Sequence, residues 1–181
     1  MLLENLIDNN RTDKNTTHSY LPIYEELFRN IRDTALNILE IGIQDGGSIK
    51  LWRDYFEVAH IYGVDIDKSP TDDIKQDSRI TLYTSNAYDK QFISSLSNIK
   101  FDVIIDDGPH TLDSMKIFVR EYSKLLNSGG ILVVEDVQRI EWIVVLKMFL
   151  PDELKNNAQV YDLRESKGRY DDILFVVKNN R

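Results

Sequence analysis

Two hydrophobic periods alternate along the chain. Residues 20–32, YLPIYEELFRNIR, put Leu21, Tyr24, Leu27, Phe28 and Ile31 on one face at helical spacing. The run NILEIGI, 37–43, is short, rich in apolar residues and closed by glycines, which predicts a buried strand. A helix over 48–56 follows, then strands at 60–66 (HIYGVDI) and 79–84 (RITLYT), and a helix around 89–97. The run FDVIIDD, 101–107, carries Val103, Ile104 and Ile105 in sequence and is the clearest buried strand. Residues 111–126 predict an amphipathic helix with Leu112, Met115, Phe118, Val119, Tyr122 and Leu125 inward. A turn at 127–130 leads into strand 131–136 (ILVVED), and a helix around 139–149 stops before Pro151. The last two strands, 159–164 and 172–178, are close enough to pair antiparallel. The polar window 67–78 contains Pro70 and reads as a surface loop.

Strands alternating with helices imply a sheet covered on both faces. The expected fold is α/β: a Rossmann-like, doubly wound, mainly parallel seven-stranded sheet with a C-terminal antiparallel hairpin. The 181 residues fit one domain, 1–181, with 1–19 as a leading segment. Composition narrows the function classes. A net charge of −8 argues against nucleic acid as a partner through a broad basic field. The chain has no cysteine, hence no disulfide, thiolate metal site or cysteine nucleophile. No run of about 18 apolar residues suggests a membrane span, and the N-terminus lacks the features of a secretory signal. With 42% apolar and 29% charged residues, the expectation is a soluble, cytoplasmic protein.

The informative acids share a place rather than a spacing. Glu40, Asp65, Asp107 and the pair Glu135-Asp136 all lie in or at the ends of predicted strands, the rim where open α/β sheets bind ligands. Helix capping would account for some such acids, but the adjacent pairs Asp106-Asp107 and Glu135-Asp136 at one sheet mouth would repel one another unless compensated. In EIGIQDGGS, 40–48, Gly42 and Gly46 bracket a tight strand-to-helix turn. Gln44 stands where a dinucleotide fingerprint has its second glycine, which disfavours a nicotinamide enzyme. Asp65, about 20 residues beyond Gly42, suits an acid that receives ribose hydroxyls. His110, on the D-G-P-H turn after Asp107, can serve as a base at neutral pH or simply bond the backbone at a helix start. His60 reads as structural, Asp106 as facing away from the mouth, and Asp171-Asp172 as a strand-edge feature.

These residues resemble class I S-adenosylmethionine-dependent methyltransferases. The segments TDKNTTHSYLPIYEELF (12–28), LEIGIQDGGSIKLWRDYF (39–56), IYGVDID (61–67), IIDDGPH (104–110) and GGILVVEDV (129–137) resemble more narrowly the metal-dependent sugar O-methyltransferases of macrolide pathways, whose relatives often carry the label cephalosporin hydroxylase. The resemblance implies that Thr12 and the loop with Glu40, Gly42, Gly46 and Ser48 hold the methionine part of S-adenosylmethionine. It implies that Asp65 holds the ribose, and that Ser85 and Asn86 lie beside the adenine, although TSNAYD departs there from the family's acidic segment. It also implies that Asp107, Glu135 and Asp136 ligate Mg²⁺, with Mn²⁺ as a substitute, that Asp107 also borders the cofactor, and that His110 is the general base. The segment around His18 would cover the cofactor as a lid. The implied partner is a small-molecule or glycan sugar, and a homodimer fits a compact enzyme whose mouth a second subunit completes. A methyltransferase of a catechol-like phenol or an amine, and a nucleoside-binding module without catalysis, stay open.

Overall fold

The computed structural model describes residues 1–67 and 70–180. Its strands are β1 (Asn37–Ile41), β2 (His60–Asp65), β3 (Ile80–Thr84), β4 (Phe101–Asp106), β5 (Leu126–Val134), β6 (Ala158–Asp162) and β7 (Ile173–Lys178). Its helices are α1 (Leu21–Phe28), α2 (Gly47–Tyr55), α3 (Asp72–Lys75), α4 (Lys90–Ser95), α5 (Leu112–Glu121), α6 (Trp142–Phe149) and α7 (Arg164–Lys167).

All seven strands form one sheet in the order β3-β2-β1-β4-β5-β7-β6. The pairs from β3 through to β5 are parallel, and β7 is antiparallel to both β5 and β6. Six strands thus run one way and β7 the other, which is the expected doubly wound sheet with a reversed C-terminal hairpin. The reason is the two-residue period of a strand. Ile38, Ile61, Val103, Ile105, Ile131 and Val133 face one apolar layer, with α1 and α2. Leu39, Ile41, Val64, Ile104, Leu132 and Val134 face the other, with α5 and α6. Each central strand is therefore buried on both sides and reads as a continuous apolar run. From β1 the chain winds out to β2 and β3, then crosses back to β4 on the other side of β1. The crevice beyond the ends of β1 and β4 is the switch point where such sheets bind ligands.

Several expectations are corrected. The turn expected at 127–130 is part of β5, whose pairing with β4 shifts register between Phe101 and Val103. Gly129, at φ +77°, supplies the left-handed residue inside that irregular stretch. The helix expected through residue 126 is α-helical only to Glu121 and tightens into a 3₁₀ turn, Tyr122–Leu125. The loop expected over 67–78 contains α3, because Ile74 is fully buried in the layer of α1 and α2. Lys68 and Ser69 of that window lie outside the described residues. The connection between β6 and β7 contains α7.

The leading segment is tied down along its length. Leu3 is buried, and its amide donates to Glu25 Oε2 at 2.8 Å. Arg11 reaches the carbonyl of Asp45 and the hydroxyl of Thr71. Its own carbonyl lies where a Cβ on Gly47 would stand, only 2.0 Å away.

Gly42 is the tightest joint between strands. At φ +81°, a Cβ there would sit 1.9 Å from the carbonyl oxygen of Asp107. Gly42→Ala is expected to cost about 2–4 kcal/mol, through both the left-handed backbone and this clash. A urea denaturation midpoint close to that of the parent protein would contradict it.

Candidate active site

Past β1 the chain turns sharply, and the amides of Ile43 and Gln44 donate to Asp65 Oδ2 at 2.9 and 3.1 Å. Asp65 thus braces the loop of β1 against the end of β2. Beside it opens a cleft of about 380 Å³ lined by Gly42, Gln44, Asp65, Ser85, Asn86 and Asp107, with Ile41, Val64, Ile66, Ala87, Tyr88, Gly108 and Pro109. Five sequence-predicted cofactor residues, Gly42, Asp65, Ser85, Asn86 and Asp107, therefore share one cavity. Thr12 lies in a neighbouring polar recess of about 240 Å³ that shares Gln44 with the cleft. The others line neither. Gly46 caps α2 beneath Pro70 and Ile74, and Ser48 is buried with its hydroxyl donating to Glu40 Oε2 at 2.6 Å. Glu40 is fully buried.

The acids at the strand ends form two clusters with one member in common. Ligand atoms of Asp107, His110 and Asp136 lie within 4.8 Å of one another, and so do those of Glu40, Asp107 and Glu135. The second cluster holds the ammonium of Lys14, 2.7 Å from Asp107 Oδ2, 2.8 and 2.7 Å from the two oxygens of Glu135, and 3.4 Å from Glu40 Oε1. Burial pulls the pKa of Lys14 down, but Asp107, Glu135 and Glu40 outweigh it and hold the amine well above its usual range. Hydroxyls complete the shell: Tyr24 donates to Glu135 and Tyr20 to Asp136. Burial, reinforced by Asp107, raises Asp136 above the ordinary carboxylate range. The three acids expected to share a metal are thus divided, with Glu135 turned inward, Asp136 outward and Asp107 reaching both ways.

His110 sits at φ +53° with Nε2 3.8 Å from Asp107 Oδ1 and 3.6 Å from Asp136 Oδ2. The helix-start role open to it belongs to its neighbour. Thr111 caps α5, accepting from the amide of Ser114 at 3.1 Å in a capping box. The imidazole is left for the cluster. The carboxylates of Asp107 and Asp136 converge at the sheet mouth as oxygen donors that suit a hard divalent ion such as Mg²⁺ or Mn²⁺, and the imidazole stands beside them.

No family model matches the chain. It is 33% identical over 141 residues to the 8-demethyl-8-alpha-L-rhamnosyl tetracenomycin-C 2'-O-methyltransferase of Streptomyces olivaceus, covering 72% of this chain and 36% of that protein. It is 30% identical over 135 residues to the mycinamicin VI 2''-O-methyltransferase of Micromonospora griseorubida, covering 69% of this chain and 33% of that one. The chain is a relative of the antibiotic-sugar O-methyltransferases. It spans about a third of the length of these curated relatives. A solved structure of MycE, a methyltransferase of the mycinamicin pathway in complex with Mg and SAH, superposes with a TM-score of 0.75 at 22% identity, covering 98% of this chain and 54% of that one. That likeness establishes a shared methyltransferase fold.

In this relative of the sugar O-methyltransferases, sequence reasoning passed over the residues that surround the acids. Lys14, Tyr20, Tyr24 and Tyr88 had no assigned part in the site. The signal for the tyrosines was the Tyr20–Tyr24 pair, one helical turn apart in an apolar segment, where buried hydroxyls need acceptors. His18 is buried, stacked on Tyr20 at 4.8 Å, with Nδ1 3.3 Å from Asp136 Oδ1 and 3.4 Å from Asp172 Oδ1. Asp172 is no strand-edge feature: it is fully buried and accepts from the amide of Ser19 at 3.2 Å. His60 is structural as expected, its Nε2 2.8 Å from Thr81 Oγ1.

Asp106 faces away from Asp107, is buried, and accepts from the Tyr88 hydroxyl. Burial pushes its carboxyl from 3.8 up to about 7, with Tyr88 opposing the rise and Asp107 adding to it. The folded-state pKa lies above the unfolded one, so the unfolded chain ionises first. The stabilisation is complete below about pH 4 and is lost as pH rises through about 7, by roughly 4 kcal/mol in all. Thermal melts in chelator should show this decline, and Asp106→Asn should make it shallower. An equally steep decline in the variant would assign the slope to another group.

Proposed function

We propose that this chain is an S-adenosylmethionine-dependent O-methyltransferase domain that uses Mg²⁺ or Mn²⁺ and methylates a sugar hydroxyl. The observation that carries the reading is the meeting of Asp107, His110 and Asp136 at the border of the cleft that also holds Asp65, Ser85 and Asn86. The relatives named for 2'- and 2''-O-methyl transfer to glycosides support a sugar acceptor.

Asp65 would accept hydrogen bonds from the ribose, and Gly42, without a side chain, lets the cofactor approach the backbone. Ser85 and Asn86 would border the base. Asp107 and Asp136 would hold the divalent ion, with Glu135 behind them. Bound there, S-adenosylmethionine supplies the methyl group and the ion lowers the pKa of the acceptor hydroxyl. The imidazole of His110, with 27% of its side-chain surface exposed, is reachable by an acceptor. It would take the hydroxyl proton as the new oxygen–carbon bond forms and the sulfur–carbon bond breaks. Asp107 Oδ1 and Asp136 Oδ2, 3.8 and 3.6 Å from Nε2, keep the ring at the mouth of the cleft. The remaining task is to hold the hydroxyl in line with the methyl carbon.

Methyl transfer to a panel of sugars, nucleotide sugars and glycosides should stop in excess EDTA and return with Mg²⁺ or Mn²⁺. Full transfer in chelator would remove the metal from the mechanism. Turnover confined to catechols or amines would replace the acceptor class, and binding of the cofactor with no transfer to any acceptor would mark a non-catalytic module.

His110→Ala should lose about 10²–10⁴-fold in turnover while binding S-adenosylhomocysteine as the parent does in calorimetry. Unchanged turnover would rule out His110 as the base.

A further inference from the structure

The reaction just described gives Lys14 no task, yet Lys14 is fully buried. An ammonium withdrawn from water costs several kcal/mol unless its partners compensate. Here the partners come from three strand regions: Glu40 in β1, Asp107 just beyond β4 and Glu135 just beyond β5. The contacts divide Asp107 between its two oxygens. Oδ2 receives Lys14 at 2.7 Å, whereas Oδ1 is the oxygen nearest His110, on the side of Asp136. Lys14 and a divalent ion in the outer cluster would therefore pull on opposite oxygens of one carboxylate.

The position of Lys14 is itself constrained. The carbonyl of Asp13 accepts from the amides of Thr16, Thr17 and His18, which closes the chain into a tight turn around Lys14. From outside, the ammonium of Lys167 donates to the carbonyls of Asn15, Thr16 and His18. The leading segment is a strap that inserts one cation into the inner acids and is clasped by another.

We propose that Lys14 is a positioning residue and the resident cation of the metal site: it fills the inner cluster, turns Asp107 Oδ1 to the outer one, and sets how tightly the site takes a divalent ion. The inference rests on the divalent-metal reading above. Its consequence is a competition between like charges. Without the ammonium, the three inner acids either add their charge to the potential at the outer cluster or receive a divalent ion themselves. Both routes strengthen divalent binding, and in both the ion can replace the ammonium as the counter-charge of the fold.

The test is Mn²⁺ binding to the full chain without cofactor, read from the electron paramagnetic resonance signal of free Mn²⁺, beside thermal melts with and without Mn²⁺. Lys14→Met keeps an unbranched side chain only one atom shorter and removes its charge. It should bind Mn²⁺ about tenfold more tightly or better, as expected for a unit charge removed from within a few ångströms of a doubly charged ion. Its melting temperature should fall in chelator and recover with Mn²⁺ by more than the parent's rises. Lys14→Arg should bind close to the parent. Lys167→Met loosens the strap without changing the charge of the acids, so it should melt lower and keep the parent affinity. Equal or weaker Mn²⁺ binding by Lys14→Met, or its failure to fold even with Mn²⁺ present, overturns the proposal and leaves the metal reading standing. A parent protein that binds no Mn²⁺ overturns both.

Discussion

Four carboxylates, those of Glu40, Asp107, Glu135 and Asp136, are gathered in and beyond the C-terminal ends of three neighbouring strands, and at such range they cannot all remain ionised without compensation. Two of them, Glu40 and Glu135, are almost or wholly withdrawn from solvent. Lys14 answers three of the four, and the hydroxyls of Tyr20, Tyr24 and Ser48 answer Asp136, Glu135 and Glu40. A buried ion pair seldom adds net stability over an apolar pair, but removal of one partner leaves a bare charge and costs much more. The set is therefore interdependent. The leading segment, α1 and the sheet mouth are held together by one electrostatic arrangement, which also determines the carboxylate oxygens that face outward.

The fold supplies the place for that arrangement. Neighbouring parallel strands are spaced about 4.8 Å apart, so residues just beyond β1, β4 and β5 meet without long side chains. The order β2-β1-β4-β5 puts those three ends side by side, although they are far apart in sequence. Gly42 lets the ends of β1 and β4 close on each other, and the amide of Asp107 donates to the carbonyl of Ile41 at 2.8 Å. Gly108 performs the same service for Tyr88, whose hydroxyl would lie 2.1 Å from a Cβ there. Each approach leaves room for the cleft only because a side chain is missing.

The sheet was legible in the sequence because its signal is local. Runs such as FDVIID and ILVV are buried on both faces, and every position then reports burial. The rim was legible for the same reason, since an acid that interrupts or ends such a run stands out. What surrounds the rim was not, because its signal is long-range. Lys14 sits in a polar stretch, TDKNTTH, where a lysine ordinarily points to water, and only the folded chain shows three acids around it. Asp172 likewise stands just before β7, and nothing in RYDDIL reveals that the strap will cover it. The resemblance implies a cofactor role for Ser48, whereas the first turn of α2 directs its hydroxyl inward to Glu40. The turn expected at 127–130 failed because β5 absorbs Gly129 in an irregular pairing that local composition does not distinguish from a turn.

Backbone conformation closes the argument. Among the described residues, the non-glycine positions with positive φ are Gln44, His110 and Asp136, in the segments that follow β1, β4 and β5. Left-handed backbone at a residue with a Cβ costs about 1 kcal/mol or more and persists where the surroundings over-determine it. Glycine at any of these positions would relieve the cost. At 110 and 136 it would also delete the imidazole and the carboxylate that meet over Asp107, and at 44 the side chain shared by the cleft and the polar recess. The sharp turns are what bring these groups back over the strand ends. An extended residue at 136 would carry its carboxylate onward with the chain, away from His110. The strain is concentrated where the side chains must converge.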